Sequence, residues 1–287
     1  MGLMATFPIK GLPPIPTDQD YYNFDISSTA SSTSATPFSV STWQELIAST
    51  SENWAGFTFY SSQQYGGIIS FAIGSVGNEV KIADLRRPGF GSTFDFHIPI
   101  PVPAGSRLSI HFHNDANSSR TMNGFIIPQL TSDVAMNPPY TRLDCGPFEF
   151  PNDVNNWGNG TMVDTSGTAH VWGSWTELTQ PTYTDNVLDG SSIPYQYKWL
   201  GISMRASGGT VSRSYAWELA YGSAGSETKI LEGLGLWKQS YVSEFPYGQV
   251  TWIKWDRPAG DRITVRTRSD DTDANRRRCW FWLWGLL

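Results

Sequence analysis

One stretch that occurs twice constrains this chain more than any other feature. Pro103-Ala104-Gly105-Ser106-Arg107-Leu108-Ser109-Ile110 returns as Pro258-Ala259-Gly260-Asp261-Arg262-Ile263-Thr264-Val265. In both copies Pro-Ala-Gly supplies a turn, Arg follows it, and aliphatic residues then alternate with Ser or Thr, the pattern of a half-buried strand. The correspondence continues without a gap to Phe125-Ile126-Ile127, which falls on Trp280-Phe281-Trp282. Upstream, Trp43-Gln44-Glu45-Leu46 answers to Trp175-Thr176-Glu177-Leu178, and Gly74-Ser75-Val76-Gly77-Asn78-Glu79 to Gly222-Ser223-Ala224-Gly225-Ser226-Glu227. The displacement grows along the chain, so the second copy carries insertions of about 16 and about 7 residues, which loops absorb most easily. A repeat of this length is a duplicated domain, since solenoid and propeller units run to roughly 20–50 residues.

Length agrees, because 287 residues suffice for about two domains with separate cores. Only 16% of residues are charged while 14% are aromatic, with 27 Gly, 18 Pro and 13 Trp, which favours short strands and tight turns over helices. The expected fold class is all-β: two tandem duplicated β-sandwich (jelly-roll-like) domains with an extended N-terminal arm. A net charge of −6 argues against a general nucleic-acid binder, which needs a basic face to displace counterions. Cys145 and Cys279 are too few for a disulfide framework and too far apart for a short-spaced zinc site, so both read as reduced structural thiols. Residues 1–10 lack the features of a secretory signal, which points to cytoplasmic synthesis. No apolar run approaches a membrane span, and Cys279 to Leu287 reads as a buried strand.

Residues 1–36 carry Pro8, Pro13, Pro14 and Pro16, then a Ser/Thr/Ala run from Ser27 to Ala35. Such a segment cannot hold a core, yet Phe7, Ile9, Leu12, Ile15, Tyr21, Tyr22 and Phe24 are too apolar for a solvated tail, so it reads as an arm lying on a neighbour. The first sandwich spans 37–130, with strands at 57–60, 68–73, 79–85, 93–98, 107–113 and 121–127. Thr42 and Glu45 match a capping box, which predicts a short helical turn over 42–47. A Pro/Gly/Asn-rich linker follows over 131–167, long for a passive connection. The second sandwich spans 168–287, with strands around 197–204, 215–221, 228–231, 249–255, 261–268 and 276–284.

Groups that carry chemistry are few. Gly105 and His111-Phe112-His113 open a cupin metal motif, but Asn117 and Ser118 do not supply its Glu, and the second copy has Arg266 and Arg268 in place of the histidines. The two histidines therefore read as solvent-facing or interface groups. Asp271-Thr272-Asp273-Ala274-Asn275 starts like a calcium loop, but Arg276 stands where Gly is required and Trp282 where Glu is, so a polar turn is expected. Glu45, Asp95, Glu149 and Asp153 offer carboxylates for glycoside hydrolysis, with nothing to select a pair. The sequence lacks a nucleophile elbow, a phosphate-binding glycine loop and a His-Glu-x-x-His helix, so no enzyme, cofactor or metal is expected. Arg266, Arg268, Arg276, Arg277 and Arg278, compensated by nearby Asp270, Asp271 and Asp273, form a candidate inter-subunit interface. Trp157, Trp172, Trp199 and Trp237 lie near loop-like sequence and form a candidate sugar platform.

Taken together, Trp-x-Glu-Leu, the Gly-Ser-x-Gly-x-Glu strand entry and the Pro-Ala-Gly-x-Arg strand resemble β-sandwich structural proteins of tailed bacteriophages, over 37–130 and 168–287. The resemblance implies a jelly-roll component of a tail, baseplate or capsid surface, held in the virion after synthesis in the host cytoplasm. It implies function by assembly with other virion proteins and as a homo-oligomer, with a trimer expected, and it transfers no catalytic residue. An apolar arm, a long linker and an aromatic-rich second domain suit such a subunit. The alternative reading is a carbohydrate-binding or host-receptor-binding protein that recognises a surface glycan. A glycan-cleaving enzyme comes third.

Overall fold

Alternating apolar and polar residues form extended strands because successive side chains point to opposite faces of a sheet. The computed structural model describes residues 22–27, 42–61, 67–87, 94–114, 121–130, 140–146, 161–164, 166–178, 195–206, 213–238, 250–255, 257–270 and 278–287. Every regular element among them is a strand, and the fold is all-β. Chain contacts divide it into unit 1, Met1–Asp144 with Asn152–Gly158 and Leu286–Leu287, and unit 2, Cys145–Pro151 with Asn159–Gly285.

Unit 1 contains β1 (Tyr22–Ser27), β2 (Gln44–Ile47), β3 (Trp54–Ser61), β4 (Gly67–Ile73), β5 (Val80–Arg87), β6 (Phe94–Ile98), β7 (Leu108–Asn114), β8 (Thr121–Leu130) and the start of β9 (Leu143–Gly146). One sheet runs β1-β8-β3-β6, and the other runs β2-β7-β4-β5-β9, with β9 parallel to β5. The sheets face each other through aromatic rings. Phe71 of β4 meets Phe57 and Phe59 of β3 edge-on, at centroid distances of 5.0 and 5.5 Å. Ile69, Ile110, Phe112, Ile98 and Ile126 complete a dry interior. Each such side chain contributes about 1.5–3 kcal/mol by leaving water.

Unit 2 contains β10 (Thr161–Asp164), β11 (Thr176–Glu177), β12 (Trp199–Ala206), β13 (Arg213–Tyr221), β14 (Thr228–Lys238), β15 (Thr251–Lys254), β16 (Ile263–Ser269) and all but the last residue of β17 (Arg278–Leu286). Its sheets are β15-β12-β17, with β10 also on β17, and β11-β16-β13-β14. Trp217 of β13 meets Phe281 of β17 edge-on at 5.9 Å. The indole of Trp284 is buried and donates to Ser203 Oγ at 2.9 Å.

The pairings of β11-β16-β13 follow those of β2-β7-β4, while β14 keeps the register of β5 from Leu219 to Tyr221 and slips by one residue beyond Trp217. Gln44 opposite Ile110 becomes Thr176 opposite Val265, and Glu45 opposite Ser109 becomes Glu177 opposite Thr264. Every pair from Ile73–Leu108 to Gly67–Asn114 has a counterpart from Tyr221–Ile263 to Tyr215–Ser269. Even the irregularity between Phe71 and Ala72 recurs between Leu219 and Ala220.

Three expectations need correction. The stretch read as a helical turn contains β2, because pairing with β7 satisfies more backbone groups than one capped turn. Tyr22–Ser27, within the expected arm, pairs antiparallel with β8 of its own chain, where it covers that strand's edge. The expected linker contains β9 and β10, so it contributes to sheets as well as connecting them.

Candidate functional site

Each unit has an arginine node where its turns meet. Gly74 and Gly222 take φ values of +124° and +111°, conformations that side chains disfavour, and a Cβ on Gly74 would lie 2.5 Å from the Asn78 carbonyl. Those turns bring Arg107 and Arg262 to matching partners. Arg107 donates to Glu45 at 2.8 Å, Glu79 at 3.0 Å and the Gly74 carbonyl at 3.2 Å. Arg262 donates to Glu177 at 2.5 Å, Glu227 at 3.4 Å and the Gly222 carbonyl at 3.1 Å.

Burial pushes the Glu79 carboxyl up, but bonds from its own N–H, from Arg107 and from the Gly77 N–H together hold it below the ordinary value. The Glu227 carboxyl is lowered chiefly by its own backbone N–H, with help from the Gly225 N–H and the Arg262 guanidinium, against the raising effect of burial. Both arginines are held more firmly protonated, first by Glu45 and Glu177 respectively. An open depression of about 700 Å³ lies beside the first node, lined by Ile73, Val76, Val80 and Arg107.

A polar row crosses the outer face of each repeated sheet. In unit 1 it begins with Trp43 stacked on His111, with ring centroids 3.8 Å apart and planes 14° apart. His111 of β7 lies opposite Ser70 of β4, whose hydroxyl donates to Asp84 of β5 at 2.5 Å. Asp84 is also paired with Lys81 at 2.9 Å. Its carboxyl is raised, first by burial and also by nearby Asp144, against the lowering effect of Lys81 and Ser70. His111, Ser70 and Asp84 are all buried, so the row is sealed from solvent.

In unit 2 the corresponding row is more open. Arg266 takes the place of His111 and Glu218 that of Ser70, and the guanidinium binds Glu218 at 2.6 Å through Nε and 2.5 Å through the other arm. Lys229 bonds Glu218 at 3.3 Å and the exposed Glu232 at 3.0 Å. The Arg266 Cζ lies 4.5 Å from the Trp175 ring centre and 5.2 Å from that of Trp172, while Arg268 stands 4.6 Å from Trp172. Guanidinium ions favour this placement because the ring face is electron-rich. Trp172 is set beside β16 by two backbone bonds, His170 N–H to Ser269 O at 2.7 Å and Gly173 N–H to Thr267 O at 2.9 Å. His170 turns the chain there at φ 63°, in the left-handed region.

The structure thus joins two sets that were separate in sequence. Arg266 and Arg268, expected at an interface, form one stack with Trp172, expected on a sugar platform. Trp199 begins β12 and is half-buried, apart from this stack in the strand order. Trp157, Arg276 and Arg277 lie outside the described residues, and for Arg278 and Trp237 only the strand backbone is described. The expectation of solvent-facing histidines is corrected for His111, 4% exposed because it is covered by Trp43. The side chain of His113 lies outside the description, as do Glu149, Asp153 and the turn 271–277. Glu45 is engaged by Arg107, and exposed Asp95 lies on β6 opposite Tyr60. No three potential metal ligands cluster among the described residues. Glu218 and Lys229 were not singled out in the sequence; extending the alignment that pairs Trp175 with Trp43 to Ser70 and Lys81 would have found them.

No family model matches this chain, and no curated protein matches it. Similar solved structures include the PBSX exported protein XepA, at 9% identity over 91% of this chain and 86% of that one, with a TM-score of 0.28. The tandem CBM22-1-CBM22-2 domain of Paenibacillus barcinonensis Xyn10C has 11% identity over 96% and 99%, with a TM-score of 0.21. The triple jelly roll of an archaeal virus turret assembly has 9% identity over 96% and 60%, with a TM-score of 0.19. At scores this low, no role or ligand transfers from them.

Proposed function

We propose that this chain is a non-enzymatic virion structural protein of a tailed bacteriophage, a tail, baseplate or capsid-surface subunit acting through a symmetric oligomer, with a trimer expected. One observation carries the reading: the two copies share the residues of a frame. Arg107 and Arg262, their paired glutamates, the turn glycines and the strand register recur. The neighbouring polar positions, by contrast, changed from Ser70 and His111 to Glu218 and Arg266. Duplication that keeps loop anchors and register suits a subunit selected for shape, and the bacteriophage resemblance supports the same role.

Mass spectrometry of purified particles, alongside sedimentation of the isolated protein, tests this. Incorporation into particles together with a defined oligomer is the expected result. Absence from particles combined with a stable monomer removes the reading.

A further inference from the structure

We propose that the β16 face of unit 2 is a binding site for a carboxylate-bearing pyranose, a uronic or sialic acid residue of a glycan, with Arg268 as its anchor and Trp172 as its wall. This inference does not rest on the virion reading. Arg266 and Lys229 are answered by Glu218 and Glu232, whereas Arg268 has no carboxylate partner among the described residues. Exposed Asp270, two residues further along, makes no ion pair with it among those residues.

Arg268 is half-buried and is held by the indole of Trp172. Stacking uses the flat face of a guanidinium and leaves its N–H donors, which lie in the plane, for another acceptor. A fork of that geometry matches a carboxylate. Across the sheet from Arg268 the side chains are small. Ala216 of β13 lies directly opposite, and Gly235 of β14 is opposite Ala216 in turn. The result is a low floor between a tryptophan wall and the Arg266–Glu218–Lys229 row, whose polar groups suit hydroxyl partners.

A sugar fits this floor better than an acidic peptide. β16 is hydrogen-bonded to β13 on one side and, beside Arg268, to His170 and Gly173 on the other, so it offers no free backbone ladder to a peptide main chain. A carboxylated ring needs none: its carboxylate takes the fork, and its C–H surface packs on apolar atoms.

The test is calorimetric titration of the full chain with oligogalacturonate and with sialyllactose, using cellotetraose as a neutral control and a poly-glutamate peptide as an acidic one. Binding to either acidic sugar, weakened about 10- to 100-fold by Arg268→Gln, is expected. Ala216→Leu, which fills the floor and leaves every charge in place, should abolish that binding with an unchanged melting temperature. It also keeps the test decisive if Arg268→Gln fails to fold. Preference for oligogalacturonate over sialyllactose, or the reverse, identifies the sugar acid. Equal binding of cellotetraose, binding of poly-glutamate alone, indifference to both substitutions, or no binding at all each overturns the proposal.

Discussion

The outer rows of the sheets β2-β7-β4-β5 and β11-β16-β13-β14 share matching strand pairings and end in different environments. In unit 1, Trp43, His111, Ser70 and Asp84 form a closed row in which the buried carboxyl is answered by one hydroxyl and one lysine. In unit 2, the same cross-strand positions hold Trp175, Arg266 and Glu218, with Lys229 and Glu232 reaching solvent. Three changes, Ser70 to Glu218, His111 to Arg266 and Asp84 to Glu232, separate a sealed seam from a charged surface. Register decides which side chains meet, and their charge then decides whether the meeting can be buried.

The comparison can be broken at its most sensitive point by placing unit 2 chemistry in unit 1. His111→Arg should destabilise unit 1 by about 3–5 kcal/mol, because the new charge has no carboxylate directly opposite. Adding Ser70→Glu should recover part of this, with a coupling of about 1–3 kcal/mol in a double-mutant cycle read by denaturant unfolding. A neutral His111→Arg would mean that the row is not sealed.

Next come the turn glycines. Gly74→Ala should cost about 1–3 kcal/mol, and Gly222→Ala less, since the added Cβ meets backbone oxygen at 2.5 Å in the first and 3.1 Å in the second. Thermal melts of the two variants rank them directly. Glu218→Ala should cost about 1–2 kcal/mol, at the mild end for a broken ion pair, because Arg266 and Lys229 retain access to water. Losing more than His111→Arg loses would reverse the contrast between the rows.

The smallest effects concern pH and have opposite signs. Glu79 has an ordinary value near 4.5 that folding lowers, so its stabilisation is complete above 4.5 and is lost as pH falls through the folded value. Asp84 has an ordinary value near 3.8 that folding raises, so its contribution is complete below 3.8 and is lost as pH rises through the folded value. Glu79→Gln should therefore flatten the acid limb of a stability profile, whereas Asp84→Asn should flatten the limb above 3.8. Profiles shifted in the same direction would contradict the burial assigned to Asp84.

Much of the frame was legible in the sequence, because alternation and repeated turn residues are local signals. Ile68 to Ile73 and Arg107 to His113 fell almost on β4 and β7. The errors came where partners decide. Thr42 and Glu45 satisfy the local rule for a helix start, but the free edge of β7 offers a ladder that no local rule records. Tyr22–Ser27 and Thr161–Asp164 looked like arm and linker because their pairing strands, β8 and β17, lie far along the chain. The same reason split the site: Trp172 meets Arg266 and Arg268 only because the 170–173 segment runs beside β16.

Those two distant pairings also set an order of events during synthesis. β1 emerges early but, among the described residues, pairs onto β8, and β10 likewise pairs onto β17, with Tyr22 set against Ile126 and Thr161 against Phe281. Each of these pairings therefore waits for a strand made later in the chain. Folding led by such long loops is slow, since closure entropy is lost before any contact repays it. The nascent chain spends that interval with unpaired edges, the stage at which a chaperone or a neighbouring copy can capture it.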